Sequence, residues 1–227
     1  MGRWTAERWA ASTGIGFVIL LLVGNLIPGN PKKYNASAAS IVTYLQDKHK
    51  ELLIAGVLYG LGAVLFLWFL ASFAGLFREA GQRRLSTIMY GAGVATVTLG
   101  ALGDAVGISL ARLVYWTDPK TIRALYGLTW FIYGRLYWTL TALALATVLA
   151  VRRSKVLPEW YAWLTLVGAV LFVLGGLSEK TKGFFSPSGG MPLIAFIGFL
   201  VWILVSSILL VQKTAEAPMG APATSPM

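Results

Sequence analysis

The chain contains no cysteine and a single histidine. The first absence removes disulfides, iron-sulfur clusters, thiolate nucleophiles and cysteine-ligated zinc in one step. The second excludes bis-histidine haem ligation and a histidine-rich metal site. That histidine, His49, lies between Lys48 and Lys50 at a helix entrance, and an exposed or hydrogen-bonded role suits it, since imidazole titrates near neutrality wherever water reaches it. Charge is scarce as well: Asp, Glu, Lys and Arg make up 12% of the residues, against roughly 25% in soluble domains. No nucleophile stands beside a base, no carboxylates pair within the apolar stretches and no metal-binding triad exists, so an enzymatic reading is the weaker one. Neither a cofactor nor a metal is expected.

What is abundant is apolar sequence, 57% of 227 residues. Predominantly apolar runs long enough to cross about 30 Å of hydrocarbon occur six times, over 9–28, 52–77, 86–111, 124–150, 159–177 and 191–212. The breaks between them are physically sensible. Pro28, Gly29 and Pro31 end the first run, Arg78, Gly81, Arg83 and Arg84 separate the second and third, and Asp118 with Pro119 marks the next turn. Arg152, Arg153, Lys155 and Pro158 precede the fifth run, and residues 186–192 the sixth. The runs are continuous rather than alternating over about ten residues, which selects helices over a membrane barrel. A helix also satisfies every backbone amide within its own segment. The expected fold is therefore all-α: one polytopic transmembrane helix bundle over 1–213, followed by an Ala- and Pro-rich tail over 214–227 that should be disordered.

The formal net charge is +10. Its 19 basic residues are spread among the loops without a stripe of interleaved aromatics, so membrane lipid headgroups, not nucleic acid, are the expected partner. Raw counts of Lys and Arg on the two sides are tied. Density decides the orientation: two very short connections each carry three basic residues, which places both termini in the cytoplasm. Arg3 and Arg8 before the first run, with Ala36-Ser37-Ala38 after it, resemble a signal-peptide layout, but the small-residue motif lies about ten residues past Pro28 and the first run is read as a retained span. Asn35-Ala36-Ser37 fits a glycosylation acceptor and is treated as chance. In the same loop Ile41, Val42, Leu45 and His49 recur at helical spacing after Ser37 or Ser40. They predict a short surface helix, either a lid over a pocket or an amphipathic connector resting at the headgroups.

Two features inside the spans carry chemistry. Gly56, Gly60, Ala63, Ala71 and Gly75 mark one face of the second span, and Gly93, Gly100, Gly103 and Gly107 mark the third; small residues let helix backbones approach closely, so both faces read first as packing. Asp104 in the third span and Arg135 in the fourth are each flanked by apolar sequence, and each is costly unless paired or solvated. Counted from a turn near Asp118 they reach similar depths, with Asn25 at a comparable level, and a buried Asp104–Arg135 pair is expected. On the opposite side of the fourth span Tyr126, Trp130, Tyr133 and Tyr137 form an aromatic stripe; Tyr137, deep in the membrane, needs a hydrogen-bond partner. The cluster admits two readings. Asp104, Arg135, Tyr137, Tyr133 and Asn25 line a binding or transport site, or the charges fix how two helices dock. A shared string, GAVLF, occurs at 62–66 and 168–172 and at that offset would make an inverted repeat of three spans each.

The run from Ala36 through Tyr44 and His49 into LLIAGVLYGLGAVLFLWFL, followed by Arg78, Arg83, Arg84 and LSTIMYGAGV, resembles a group of uncharacterised multi-pass proteins of high-GC bacteria, classed as a domain of unknown function. It covers about the first half of the chain. The resemblance implies a bacterial cell membrane and a retained first helix, with no activity or ligand to transfer. The function expected is that of a non-enzymatic accessory or structural subunit in an oligomer or membrane complex, the alternative being a small transporter or ligand-binding protein.

Overall fold

The computed structural model describes the backbone of residues 6–216 and the side chains of residues 9–213. Those residues form seven α-helices: α1 Ala6–Leu26, α2 Ala38–Asp47, α3 His49–Glu79, α4 Arg83–Leu113, α5 Pro119–Ser154, α6 Glu159–Gly176 and α7 Gly190–Glu216. All but α2 are long and apolar enough to span a bilayer. The polytopic helical bundle read from the sequence is thus the architecture. Of the expected tail, residues 214–216 continue α7 and the remainder lies outside the described residues.

Each helix end is set by local chemistry. α3 stops in a Schellman motif, with Gly81 at φ 80°, the Gln82 amide donating to the Phe77 carbonyl at 2.8 Å and the Gly81 amide to Arg78 at 3.2 Å; a residue without Cβ takes this left-handed position at least cost. Asp118 caps α5 by accepting from the amides of Lys120 and Thr121 at 3.0 and 3.1 Å, with Pro119 at the first helical position. Hydrogen bonding, from Thr121 first, holds the Asp118 carboxyl below its ordinary range. At the other end of α5, Lys155 turns the chain at φ 54°, and Pro158 opens α6.

The six spans close into a ring in which each packs on its neighbours in the chain and α7 returns to α1. Phe66, Phe69, Phe73 and Phe77 recur along one face of α3 and fill the ring together with Phe17, Phe172, Phe199 and Trp202. The rings of Phe17 and Phe66 are 4.8 Å apart, and Phe73 meets Trp202 edge-on at 5.7 Å. The repeated GAVLF string lies on α3 and α6, across the ring from each other, and the last residue of each copy, Phe66 and Phe172, packs against Phe199 at 6.0 and 6.4 Å.

The glycine faces divide in two. A Cβ on Gly93 would come within 2.1 Å of Leu70, one on Gly103 within 2.6 Å of Tyr133, and one on Gly56 within 2.3 Å of Ile108, whereas Gly60, Gly75, Gly100 and Gly107 face open space. The expectation that every one of these small residues sits in a close-packed seam is corrected for this second group. Of these Gly60 is exposed, while Gly75, Gly100 and Gly107 are half-buried.

The short helix is present as α2, with Ser37 accepting from the Ser40 amide at 3.3 Å. It ends at Asp47, so His49 belongs to α3 instead, where its Nδ1 lies 2.7 Å from the Ala111 carbonyl and ties α3 to α4. The apolar face assigned to headgroups rests on protein: Ile41, Tyr44 and Leu45 are buried with Leu110, Val114, Ile122 and Tyr126 in a second, smaller core. Burial there, reinforced by the charge of Glu51, raises the Tyr44 phenol above its usual range. Tyr126 also donates its hydroxyl to the Lys32 carbonyl at 2.7 Å, fixing the 27–37 loop to α5.

Candidate functional site

Arg84 and Arg153 stand at the same end of the ring, hereafter the arginine end. From them the helices rise about 30 Å to Asp104 on α4 and about 27 Å to Arg135 on α5, and from Arg78 about 29 Å to Tyr59 on α3. A hydrocarbon core is about 30 Å thick. These side chains therefore gather at its far boundary, not at mid-membrane. Apolar sequence continues beyond them because Val106, Leu110, Ile122 and Leu125 belong to the core under α2, where protein rather than lipid covers them. α6, with 18 residues, ends at this level, and the 177–189 loop enters there.

The Asp104–Arg135 pair expected from the sequence is not formed. Asp104 Oδ1 instead accepts the Tyr133 hydroxyl at 2.6 Å, while Arg135 pairs with Glu179 of the 177–189 loop. Helical phase explains the exchange. Tyr133 and Arg135 are two residues apart, about 200° around α5, so only one of them can face α4. The ring of Tyr133 lies over Gly103, where any Cβ would block it. The guanidinium is left on the other side, and with side-chain exposures of 49% and 54% the Arg135–Glu179 pair is a solvated boundary contact, not a buried ion pair.

The remaining candidates separate further. Tyr137 finds the partner it needs in the Pro192 carbonyl of α7 at 2.7 Å, and its ring fills the space beside Gly175 and Ala195. Asn25 is exposed and donates to the Leu21 carbonyl within α1 at 2.8 Å, so it does not join the cluster. Two residues were missed. Tyr59 lies within electrostatic reach of Asp104 and Tyr133, with its ring against Gly24 of α1; Glu179 supplies the partner of Arg135. Counting depth from the basic end of every span, instead of from the Asp118 turn, would have placed both at the level of Asp104.

The assembled site is thus the hydrogen-bonded tyrosine–carboxylate pair Asp104 and Tyr133, held by α4 and α5, with Tyr59 of α3 at the same level. Among the described residues Asp104 Oδ2 makes no hydrogen bond, so one oxygen is fixed and the other is available. No group of three or more His, Cys, Asp or Glu that could hold a metal occurs among the described residues. The loops above the site are joined, with the Tyr34 amide donating to Ser188 Oγ at 3.3 Å and Asn35 Nδ2 to the Thr181 carbonyl at 3.4 Å. Comparison with family models, curated proteins and solved structures returned no match, and the functional reading rests on this geometry.

Proposed function

We propose that this chain is a non-enzymatic subunit of a membrane complex, docking through the outer faces of α3 and α4. The observation that carries the reading is uneven coverage: 22% of the apolar stretch of α3, and likewise of α4, is buried, the lowest shares, against 28% for α1, 44% for α6 and α7 and 50% for α5. On α3 the uncovered face runs through Ile54, Val57, Leu61, Val64 and Trp68, at alternating spacings of three and four. Gly60 on the same face and Gly91 on α4, both exposed, have open space where a Cβ would stand. Lipid provides no hydrophobic drive for helix association, and small outward residues let a partner backbone approach. The membrane is read as the bacterial plasma membrane from the resemblance of the first half. Its cytoplasmic side is read as the arginine end, where Arg78, Arg83, Arg84, Arg152 and Arg153 crowd two short turns.

The absence of cysteine makes the test direct. Single cysteines at Leu61, Val64 and Trp68 should form cross-links to a protein in native membranes, whereas cysteines at the equally exposed Val167 and Val170 of α6 should not. Equal cross-linking from both helices, or none from α3, refutes the docking face.

A second reading, a ligand-binding or transport protein, draws support from the free oxygen of Asp104. It is separated from the first by Asp104→Asn, which keeps an acceptor for Tyr133. Loss of cell phenotype with α3 cross-links intact favours a ligand at Asp104; an unchanged phenotype favours the complex subunit.

A further inference from the structure

At the arginine end a recess of about 330 Å³ opens between the start of α4 and the end of α5, lined by Gly81, Arg83, Arg84, Ile88, Leu149 and Arg153 among others. Its three guanidinium groups make no ion pair or side-chain hydrogen bond among the described residues. Their neighbours are accounted for differently. Arg152 pairs with Glu159 at 3.4 Å and lies 4.8 Å over the ring of Trp163, so of two consecutive arginines one is neutralised on α6 and the other is left at the recess. Glu79, the last residue of α3, forms no ion pair with any of the three. Gly81, in its left-handed turn, has nothing within 4 Å of where a Cβ would stand, and the mouth stays open.

The wall of the recess is apolar and faces outward, with Ile88 42% and Leu149 46% exposed. Both residues lie within about 9 Å of the arginines along their helices. Positive charge at a polar mouth and aliphatic side chains below it match an anion attached to hydrocarbon. Arginine binds phosphate oxygens through paired N–H donors, and basic recesses between transmembrane helices accept anionic headgroups.

We propose that this recess binds the phosphate of an anionic phospholipid, with Arg83, Arg84 and Arg153 on the phosphodiester and the acyl chains along Ile88 and Leu149. The ligand chemistry, a phosphate oxyanion, is shared with free phosphate, and the aliphatic wall assigns the source to lipid.

The full chain reconstituted in nanodiscs of phosphatidylcholine with a minor share of phosphatidylglycerol, then released for native mass spectrometry, should retain phosphatidylglycerol selectively. The Arg83→Gln/Arg153→Gln double variant should lose this retention by roughly tenfold, and Arg152→Gln should keep it. Equal loss in Arg152→Gln would mean a diffuse surface charge effect and overturn the site. Because the double variant could misfold, the wild-type chain gives a second measurement: phosphatidylglycerol discs, but not phosphatidylcholine discs, should protect Arg83 and Arg153 from phenylglyoxal. Equal protection by inorganic phosphate in pure phosphatidylcholine discs would assign the site to free phosphate and overturn the lipid. Equal modification under all conditions would overturn binding altogether.

Discussion

Below the level of Asp104 the ring is filled by phenylalanines and closed by helix-to-helix hydroxyl contacts, Thr96 to Thr139 at 2.7 Å and Tyr161 to Ser206 at 2.5 Å. Above it, α3, α4 and α5 run on past α6 to meet α2 over a core of seven buried residues. The two regions use the same kinds of side chain under different physics. Within the bilayer the surroundings are as apolar as the core, so shape complementarity and interhelical hydrogen bonds carry association. Beyond the boundary water supplies the hydrophobic effect, and a few aliphatic residues suffice to hold α2 down. The tyrosine–carboxylate group stands where one regime gives way to the other.

If the upper core is held by water, its truncation should be the most damaging change and should act locally. We predict that Ile41→Ala and Leu45→Ala each cost about 2–5 kcal/mol of α2 docking. Hydrogen exchange should show the amides of 38–47 losing protection while α3 to α7 keep theirs; simultaneous loss throughout would make the two regions one cooperative unit. In the lower region overfilling should matter more than underfilling. Gly93→Leu, pressed against Leu70, is expected to destabilise the detergent-solubilised chain by about 1–3 kcal/mol, whereas Gly91→Leu and Gly60→Leu, exposed and facing open space, should leave its melting unchanged and weaken only assembly with a partner.

At the junction, a double-mutant cycle between Asp104→Ala and Tyr133→Phe should return a coupling of about 0.5–3 kcal/mol, and the cycle between Asp104→Ala and Arg135→Gln should return none. A coupling confined to the second pair would restore the ion pair expected from the sequence. The smallest effect belongs to the boundary: Arg135→Gln or Glu179→Gln should change stability by less than about 1 kcal/mol, a difference that disappears in high salt.

The span pattern was legible because its punctuation is chemical. Pro28, the arginine turns and Asp118-Pro119 break apolar runs wherever a helix emerges, and Ser37 or Ser40 with Ile41, Val42 and Leu45 announced α2. The partners of Asp104 and Arg135 were not. Composition gives a residue's depth, but pairing depends on which face of α5 meets α4, and Gly103 decides that by admitting the ring of Tyr133. The apolar flanks of both charges misled for a related reason, since a sequence does not distinguish residues covered by lipid from residues covered by α2. Glu179 lies in a loop without periodicity, and nothing in its own neighbourhood marks it as the partner of a residue 44 positions away.

The brevity of α6 also bears on the membrane itself. Its 18 residues give about 27 Å of helix, a few Å less than an average hydrocarbon core, while α5 beside it has 36 residues. Lipids along the α6 side must compress or draw their headgroups inward toward Glu179, each Å of mismatch costing a fraction of a kcal/mol. The perimeter is therefore graded in hydrophobic thickness, and a thicker, stiffer bilayer should tilt the bundle toward its short side.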